Sequence, residues 1–474
     1  MKKIKSNEYS KKWMTLFIVI TMSFMSCLDS SIVNVALPVL TKELKTSLSS
    51  IEWVVVSYLI IICSTILIFG RLGDMIGKAH IFKFGIILFT IGSFLCGLCH
   101  SLQLLVICRV IQGIGASAYM ANNQGIITQT FPNNERGKAL GILAAAVALG
   151  TMIGPPLGGF ILSVLSWNSI FFVNVPIGII ALIFSIKVLP KAECSNEKMD
   201  KKGALLFSTG TVFLFGSLIL GQKTGYDNLF IMLAILIGIL MIVFFIKREL
   251  KETQPLLELQ LFKNKIFSLS LVCAFISSIS ISASIILIPF YLQNTIKIST
   301  AKSGLFMMIF PIIVAIISPA AGRISDKIGS ELITLGGLLL MSIGFLLMSL
   351  LNEFSPLIMF VTFISIMAVG QGLFQPANNS LIMSSVPKNK LGIAGSINSL
   401  VRNFAQIAGV TLSTSFLYGF MSHKLKYHVS DYVIGKDYAF IYGMKNVYII
   451  LSVISCIGTI CTAIRFYRSK FSKT

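Results

Sequence analysis

The chain reads as a succession of apolar runs, each about 20 residues long and each closed by a short cluster of Lys, Asn, Pro and Gly. As a helix, such a run rises about 30 Å at about 1.5 Å per residue, the thickness of a bilayer's hydrocarbon core. Hydrocarbon offers no partner to a peptide N–H or C=O, so a run of this kind has to be helical. Fourteen runs are counted, over roughly 14–36, 51–69, 80–99, 102–122, 139–162, 169–189, 203–221, 229–246, 268–292, 303–321, 331–351, 356–376, 391–420 and 446–464. The same balance excludes a soluble fold. Of 474 residues, 55% are hydrophobic and 12% charged, against about 25% charged in soluble domains. The expected class is an all-α membrane protein. Its first run follows Lys2, Lys3, Lys5, Lys11 and Lys12, as a signal peptide's would. It is too long for one, carries Asp29 and lacks a small-residue cleavage site, so it reads as a retained helix.

The net charge of +21 would suit nucleic acid, but its distribution argues against that partner. With both termini in the cytoplasm, 28 of the 39 Lys and Arg residues fall in cytoplasmic segments and nine in outer loops, with Arg109 and Arg402 inside runs. An inside excess of this kind sets membrane orientation and adds attraction to anionic lipid. The nine cysteines are scattered, most within apolar runs where Cys acts as a small hydrophobe. Cys96 and Cys99 form a C-x-x-C with no second pair and no nearby His, so no metal or redox role is expected there.

The chain repeats itself. Gly70-Arg-Leu-Gly-Asp-Met-Ile-Gly-Lys78 returns as Gly322-Arg-Ile-Ser-Asp-Lys-Ile-Gly-Ser330, 252 residues on. Gln112-Gly113, Ala121-Asn-Asn123 and Pro132 are echoed by Gln371-Gly372, Ala377-Asn-Asn379 and Pro387, at offsets of 255 to 259. Each Gly-x-x-x-Asp-x-x-Gly element joins the second and third runs of its half, which leaves two runs inserted between the halves. The domain reading is a six-run bundle over 1–189, a linker with two inserted runs over 190–265 and a second six-run bundle over 266–474. Transporters built of parallel repeats hold their substrate between the halves near the midplane.

Five motifs follow one another through the first half: Leu28-Asp-Ser-Ser-Ile-Val-Asn-Val-Ala-Leu-Pro38, Gly70 to Lys78, Arg109-Val-Ile-Gln-Gly-Ile-Gly-Ala116, Gly150-Thr-Met-Ile-Gly-Pro-Pro-Leu-Gly-Gly159 and Phe171-Phe-Val-Asn-Val-Pro-Ile-Gly178. Together they resemble the fourteen-helix drug:proton antiporter family of the major facilitator superfamily, over nearly the whole chain. The resemblance implies two six-helix bundles plus two inserted helices, and an integral protein of the bacterial plasma membrane acting as a monomer. The chain departs from the family at Met75 and Ala79, where basic residues are usual, and at Trp167-Asn-Ser169, where an aromatic-Arg-aromatic triplet is common.

Asp29 is the only one of eighteen acids well inside an apolar run. A charge at a helix centre costs about 2.5–3.5 kcal/mol on insertion scales. It is read as the group that takes and releases a proton, against the alternative of a neutral Asp bonded to Ser30, Ser31 or Asn34. Arg109 keeps its proton and needs a carboxylate, a carbonyl or water. The resemblance places it in the core facing the first helix, beside Asp29. Gly70, Gly73 and Gly77 are expected to permit a sharp cytoplasmic turn. There Asp74 would meet a helix N-terminus or a cation of the other half and lock one face shut, with Asp326 as its weaker counterpart. Gly150, Gly154, Pro155, Gly158 and Gly159 form the antiporter-type packing element: small residues on one face admit a close helix, and the prolines favour a kink. Asn34, Gln112, Arg402 and Glu52 are candidate substrate or coupling residues, with structural hydrogen bonding the other reading of Arg402 and a solvated interfacial acid that of Glu52. The outer segment 421–445 is read as a solvated loop.

The function expected is proton-coupled export of amphipathic compounds by alternating access, with small amphiphiles, protons and membrane lipids as partners and no cofactor beyond the proton gradient. A lipid or glycolipid exporter is the alternative within the same fold. A membrane-embedded enzyme would need clustered His, Asp, Glu or Cys at one interface, and the chain has only four His. No Gly-x-x-x-x-Gly-Lys-Ser/Thr loop occurs to cradle a nucleotide.

Overall fold

The computed structural model describes residues 2–189, 199–225, 227–252, 255–387, 391–429, 432–433 and 435–471. Every regular element among them is helical, and fourteen helices are long and apolar enough to cross a membrane. They are α1 Lys11–Glu43, α2 Leu48–Ile76, α3 Lys78–Gly97, α4 Leu102–Thr130, α5 Ala145–Val164, α6 Ser169–Val188, α7 Lys201–Gly221, α8 Leu229–Glu249, α9 Lys265–Thr295, α10 Thr300–Ser325, α11 Ser330–Met348, α12 Leu357–Ser384, α13 Ile393–Leu425 and α14 Asp437–Tyr467. The protein is an integral membrane protein. Large apolar side chains such as Phe160, Phe230 and Ile316 stay exposed on helix faces, as they do where the solvent is lipid.

The chain separates into two compact units, Met1–Thr46 with Ile51–Glu258, and Leu259–Thr474 with Ser47–Ser50. In the first, α1 packs along α5, α3 along α4, and α2 against α4. The inserted pair α7 and α8 packs on itself, with Gly238 set against the backbone of Leu214, and α7 packs on α2, where Ser208 Oγ donates to Ser64 O at 2.5 Å. The second unit repeats the scheme: α9 along α13, α11 along α12, α10 against α12.

The repeated loop element has a backbone reason. Gly77, between α2 and α3, sits at φ 103°, and Gly329, between α10 and α11, at φ 96°. Only glycine takes that conformation without strain. The other glycines of the first loop do not serve the turn. Gly73 makes room for Asn122 of α4, which would stand 1.8 Å from an added Cβ, while the nearest atom to such a Cβ at Gly70 is 3.9 Å away. The helix holding α5 runs unbroken through Pro155 and Pro156. By contrast α6 is interrupted at Val173 and restarts at Asn174, with Pro176 in its new first turn. Pro lacks the N–H that would continue the ladder and is tolerated at a helix start.

Candidate functional site

A closed polar cluster sits inside the first unit. Asp29, on α1, is 2% exposed, and Arg109, on α4, 1%. Arg109 Nη1 donates to Asp29 Oδ2 at 2.6 Å. Asp29 Oδ1 accepts from Gln112 Nε2 at 3.0 Å and from Asn174 Nδ2 at 2.7 Å. Arg109 Nε donates to the carbonyl of Val54 at 2.9 Å, and a second bond from Nη1 reaches Gln112 Oε1 at 2.5 Å. Ser93 of α3 closes the ring, accepting from Gln112 Nε2 at 2.8 Å. Tyr58 of α2 lies under the guanidinium, its ring centroid 4.1 Å from Cζ, and its hydroxyl bonds Ser26 of α1 at 3.1 Å. Five helices, α1, α2, α3, α4 and α6, thus meet on one ion pair.

Each position has a local cause. Arg109 and Gln112 are three residues apart and share a face of α4. Asn174 is the first residue after the break in α6, which turns its amide onto Asp29. The glycines of α5 bring α1 into place: an added Cβ at Gly150 would lie 2.6 Å from the carbonyl of Phe24, at Gly154 2.4 Å from Ser31 Cβ, and at Gly158 3.1 Å from Ile32 Cγ2. These sites, four residues apart, form the stripe along which α1 lies, two of them flanking Asp29 in register. Gly159 is buried beside them. A buried carboxylate and guanidinium are tolerable together because each offsets the other's lost hydration, and the added amides satisfy the remaining lone pairs.

Asp29 does not bond Ser30, Ser31 or Asn34; Ser31 Oγ donates instead to Thr151 O. Asn34 is half-buried, and its side-chain carbonyl has no hydrogen-bond partner. Glu52, read as a solvated interfacial acid, is fully buried: it lies inside the span Leu48–Ile76 rather than at its outer end. Glu249, at the end of α8, is likewise buried, with Leu257 N donating to it at 2.9 Å. Asp74 pairs with Lys78 of its own turn, whose stem covers Gly125 of α4. The side chain of Asp326 lies outside the described residues. Arg402 is half-buried on α13, in the second unit, and is not part of the cluster. Arg465, counted from sequence among the cytoplasmic charges, is 5% exposed within α14 and donates to Ser270 Oγ at 2.9 Å and Thr334 Oγ1 at 2.7 Å. Asn174, Ser93 and Tyr58 join the cluster without being marked out individually by the sequence. The signal for Asn174 was present, as one amide in an apolar run two residues before a proline.

The second unit carries the counterpart of this cluster with its charges removed. Gly85 crosses α4 at the carbonyl of Gly115, and Gly337 crosses α12 at that of Gly370. Gly92 abuts Gln112 as Gly344 abuts Met367, and Gly150 abuts Phe24 and Cys27 as Gly409 abuts Ile279 and Ser282. These contacts equate α1 and α4 with α9 and α12 at an offset of 255 residues, which aligns Asp29 with Ser284, Arg109 with Ile364 and Gln112 with Met367. Ser284 Oγ lies 3.0 Å from Tyr448 Oη and 4.0 Å from Met367 Sδ, repeating the Asp29–Asn174 and Asp29–Gln112 contacts with uncharged groups. The pairing of Gln112 with Gln371 read from sequence is therefore one helical turn out of register.

The profile of the Major Facilitator Superfamily matches residues 19–213 and 202–410, so both units carry it. The chain belongs to the Major Facilitator Superfamily. This transporter is 37% identical over 434 residues to the riboflavin transporter RibZ of Clostridioides difficile (strain 630), covering 91% of this chain and 94% of that protein. It is 31% identical over 414 residues to the multidrug transporter protein MdtP of Bacillus subtilis (strain 168), covering 87% and 76%. Among solved structures it resembles a POT family transporter in complex with a thioalcohol-conjugated peptide, with TM-score 0.70 at 16% identity over 96% of each chain. A bacterial homologue of the lysosomal transporter Spinster, inward-facing and unoccupied, matches with TM-score 0.64 at 14% identity over 95% of this chain and 96% of that one. The structural likenesses carry the fold alone.

Proposed function

We propose that this transporter exports amphipathic small molecules in exchange for protons, with Asp29 as the proton carrier and Arg109 as its alternating partner. The observation that carries the reading is the buried Asp29–Arg109 ion pair of the first unit, repeated in the second without charge. A carboxylate this deeply buried needs an offsetting charge or a proton. Here Arg109 supplies the charge; when the α1–α4 contact opens, a proton takes its place. Gln112, Asn174 and Ser93 hold the carboxylate where either exchange can occur. The cell membrane, with both termini on the cytoplasmic side, is the proposed setting, and the proton gradient the sole energy source.

The relatives named multidrug transporters support drugs and dyes as cargo. The riboflavin transporter, more similar over more of the chain, supports a second reading in which the cargo is a neutral heteroaromatic compound such as a flavin. Inverted vesicles holding the full chain, given a monocationic dye or riboflavin with and without an imposed proton gradient, decide between them. Gradient-dependent accumulation of the dye alone supports the first reading and of riboflavin alone the second. Accumulation that ignores the gradient, or that persists unchanged in Asp29→Asn, overturns the proton-coupled mechanism.

A further inference from the structure

We propose that Cys99 and Cys108 form a thiol–disulfide pair, a covalent modification site at the α3–α4 turn for low-molecular-weight disulfides. Cys96, the partner offered by the C-x-x-C spacing, faces elsewhere, with its sulfur 3.9 Å from Gln112 Oε1. The sulfur of Cys99 lies instead 3.6 Å from that of Cys108, two turns into α4. A disulfide needs about 2.05 Å, so closure asks for about 1.5 Å of side-chain movement. The turn that carries Cys99 is held on both sides. Asn168 Nδ2 donates to the carbonyls of Gly97 and Cys99, each at 3.0 Å, and the ring of Phe172 covers Gly97. The thiols are thus presented to each other by a fixed frame.

Their exposures differ, which orders the chemistry. Cys108 is partly exposed, whereas Cys99 is buried, and burial pushes its thiol up to about 12. Only a thiolate attacks readily. Cys108, the more exposed of the two sulfurs, is the one a reagent meets and attacks a disulfide RSSR first: its sulfur bonds one RS group, the S–S bond of RSSR breaks, and one RSH leaves with the displaced proton. The sulfur of Cys99 then attacks that of Cys108, gives its proton to the departing thiolate and expels a second RSH. Two protein thiols are oxidised and one RSSR is reduced to two RSH. The bridge ties the turn to α4 one residue before Arg109. Under the proposed topology the turn faces outward, away from the reducing cytosol.

The purified full chain is treated with oxidised glutathione, blocked with iodoacetamide, digested without reductant and read by mass spectrometry. The expected product is a Cys99–Cys108 linked peptide pair that dithiothreitol releases. Cys99→Ser is expected to trap glutathione on Cys108, and Cys108→Ser to leave Cys99 unmodified. Glutathione resting on Cys108 of the native chain without a bridge, or both cysteines remaining free thiols, overturns the proposal. The native-chain result decides even if a variant fails to fold, and it requires no transport, so it stands or falls apart from the export reading.

Discussion

At the scale of single residues, the first bundle rests on an ion pair that tolerates no half-measures. Removing one member of a buried pair leaves the other uncompensated, at a cost of about 3–5 kcal/mol, whereas replacing both with apolar groups is often neutral. Asp29→Asn is therefore expected to lower the unfolding temperature and to abolish gradient-driven export. Asp29→Leu combined with Arg109→Met is expected to recover the temperature but not the transport. Thermal unfolding of the single and double variants measures the first, and vesicle assays the second. A double variant no more stable than Asp29→Asn would show that the surrounding amides, rather than the charges, hold the site. Arg109→Lys keeps the charge but forfeits the forked contacts to Asp29, Val54 and Gln112. Its transport is expected to fall at least tenfold, the loss of about 1.4 kcal/mol.

At the scale of helices, the crossings are set by glycines whose missing Cβ is replaced by a neighbour's backbone. An alanine Cβ at Gly85 would lie 2.7 Å from the carbonyl oxygen of Gly115 and from the amide of Tyr119, neither of which can swing aside. Gly85→Ala, and Gly337→Ala in the second unit, are expected to destabilise by about 1–3 kcal/mol, as overpacking does. Gly216→Ala, with nothing within 4 Å, is expected to be neutral or to stabilise by up to about 1 kcal/mol through helix propensity. Comparing the three unfolding temperatures tests whether contact rather than composition makes these glycines necessary. The inserted pair has a different tie. Arg248 Nε donates to Asp200 Oδ2 at 2.6 Å and holds that carboxyl below the ordinary value. A carboxyl lowered on folding contributes stability above its unfolded value, about 3.9, and loses it as pH falls through the lower folded one. The difference in unfolding temperature between the native chain and Asp200→Asn should thus be constant above about pH 5 and shrink toward pH 3.

At the scale of the whole molecule, the stoichiometry of charge decides how the membrane potential acts. One proton exchanged for one monovalent cation moves no net charge, while one proton exchanged for a neutral compound moves one, worth about 2.3 kcal/mol per 100 mV. Imposing a potential at zero pH difference should leave dye export unchanged and raise that of a neutral substrate; a dye flux that follows the potential would contradict one-for-one exchange. Dications are expected to be carried poorly, since a second buried positive centre lacks a partner. Glu52, also buried in the first unit, is the alternative second acid, and Glu52→Gln should then remove any dication flux that is seen.

Runs of about 20 apolar residues sufficed to give helices, and their number to give fourteen spans, because hydrocarbon leaves a backbone no other way to satisfy itself. The repeat of Gly77 and Gly329 was legible for a similar reason: a positive φ selects one residue type wherever it occurs. Asp29 and Arg109 stood out as charges in apolar surroundings, whose cost is visible without a fold. What they touch was not. Asn174 lies 145 residues from Asp29 and reaches it through a helix break, and Glu52 and Arg465 sit near span ends where sequence cannot tell inward from outward. Gln112 and Gln371 align by letters, yet the glycine crossings put Met367 at the equivalent place. Composition and period are properties of the chain, fixed by the solvent it must enter. Register between helices is fixed by which backbones can approach, and only the packed molecule decides that.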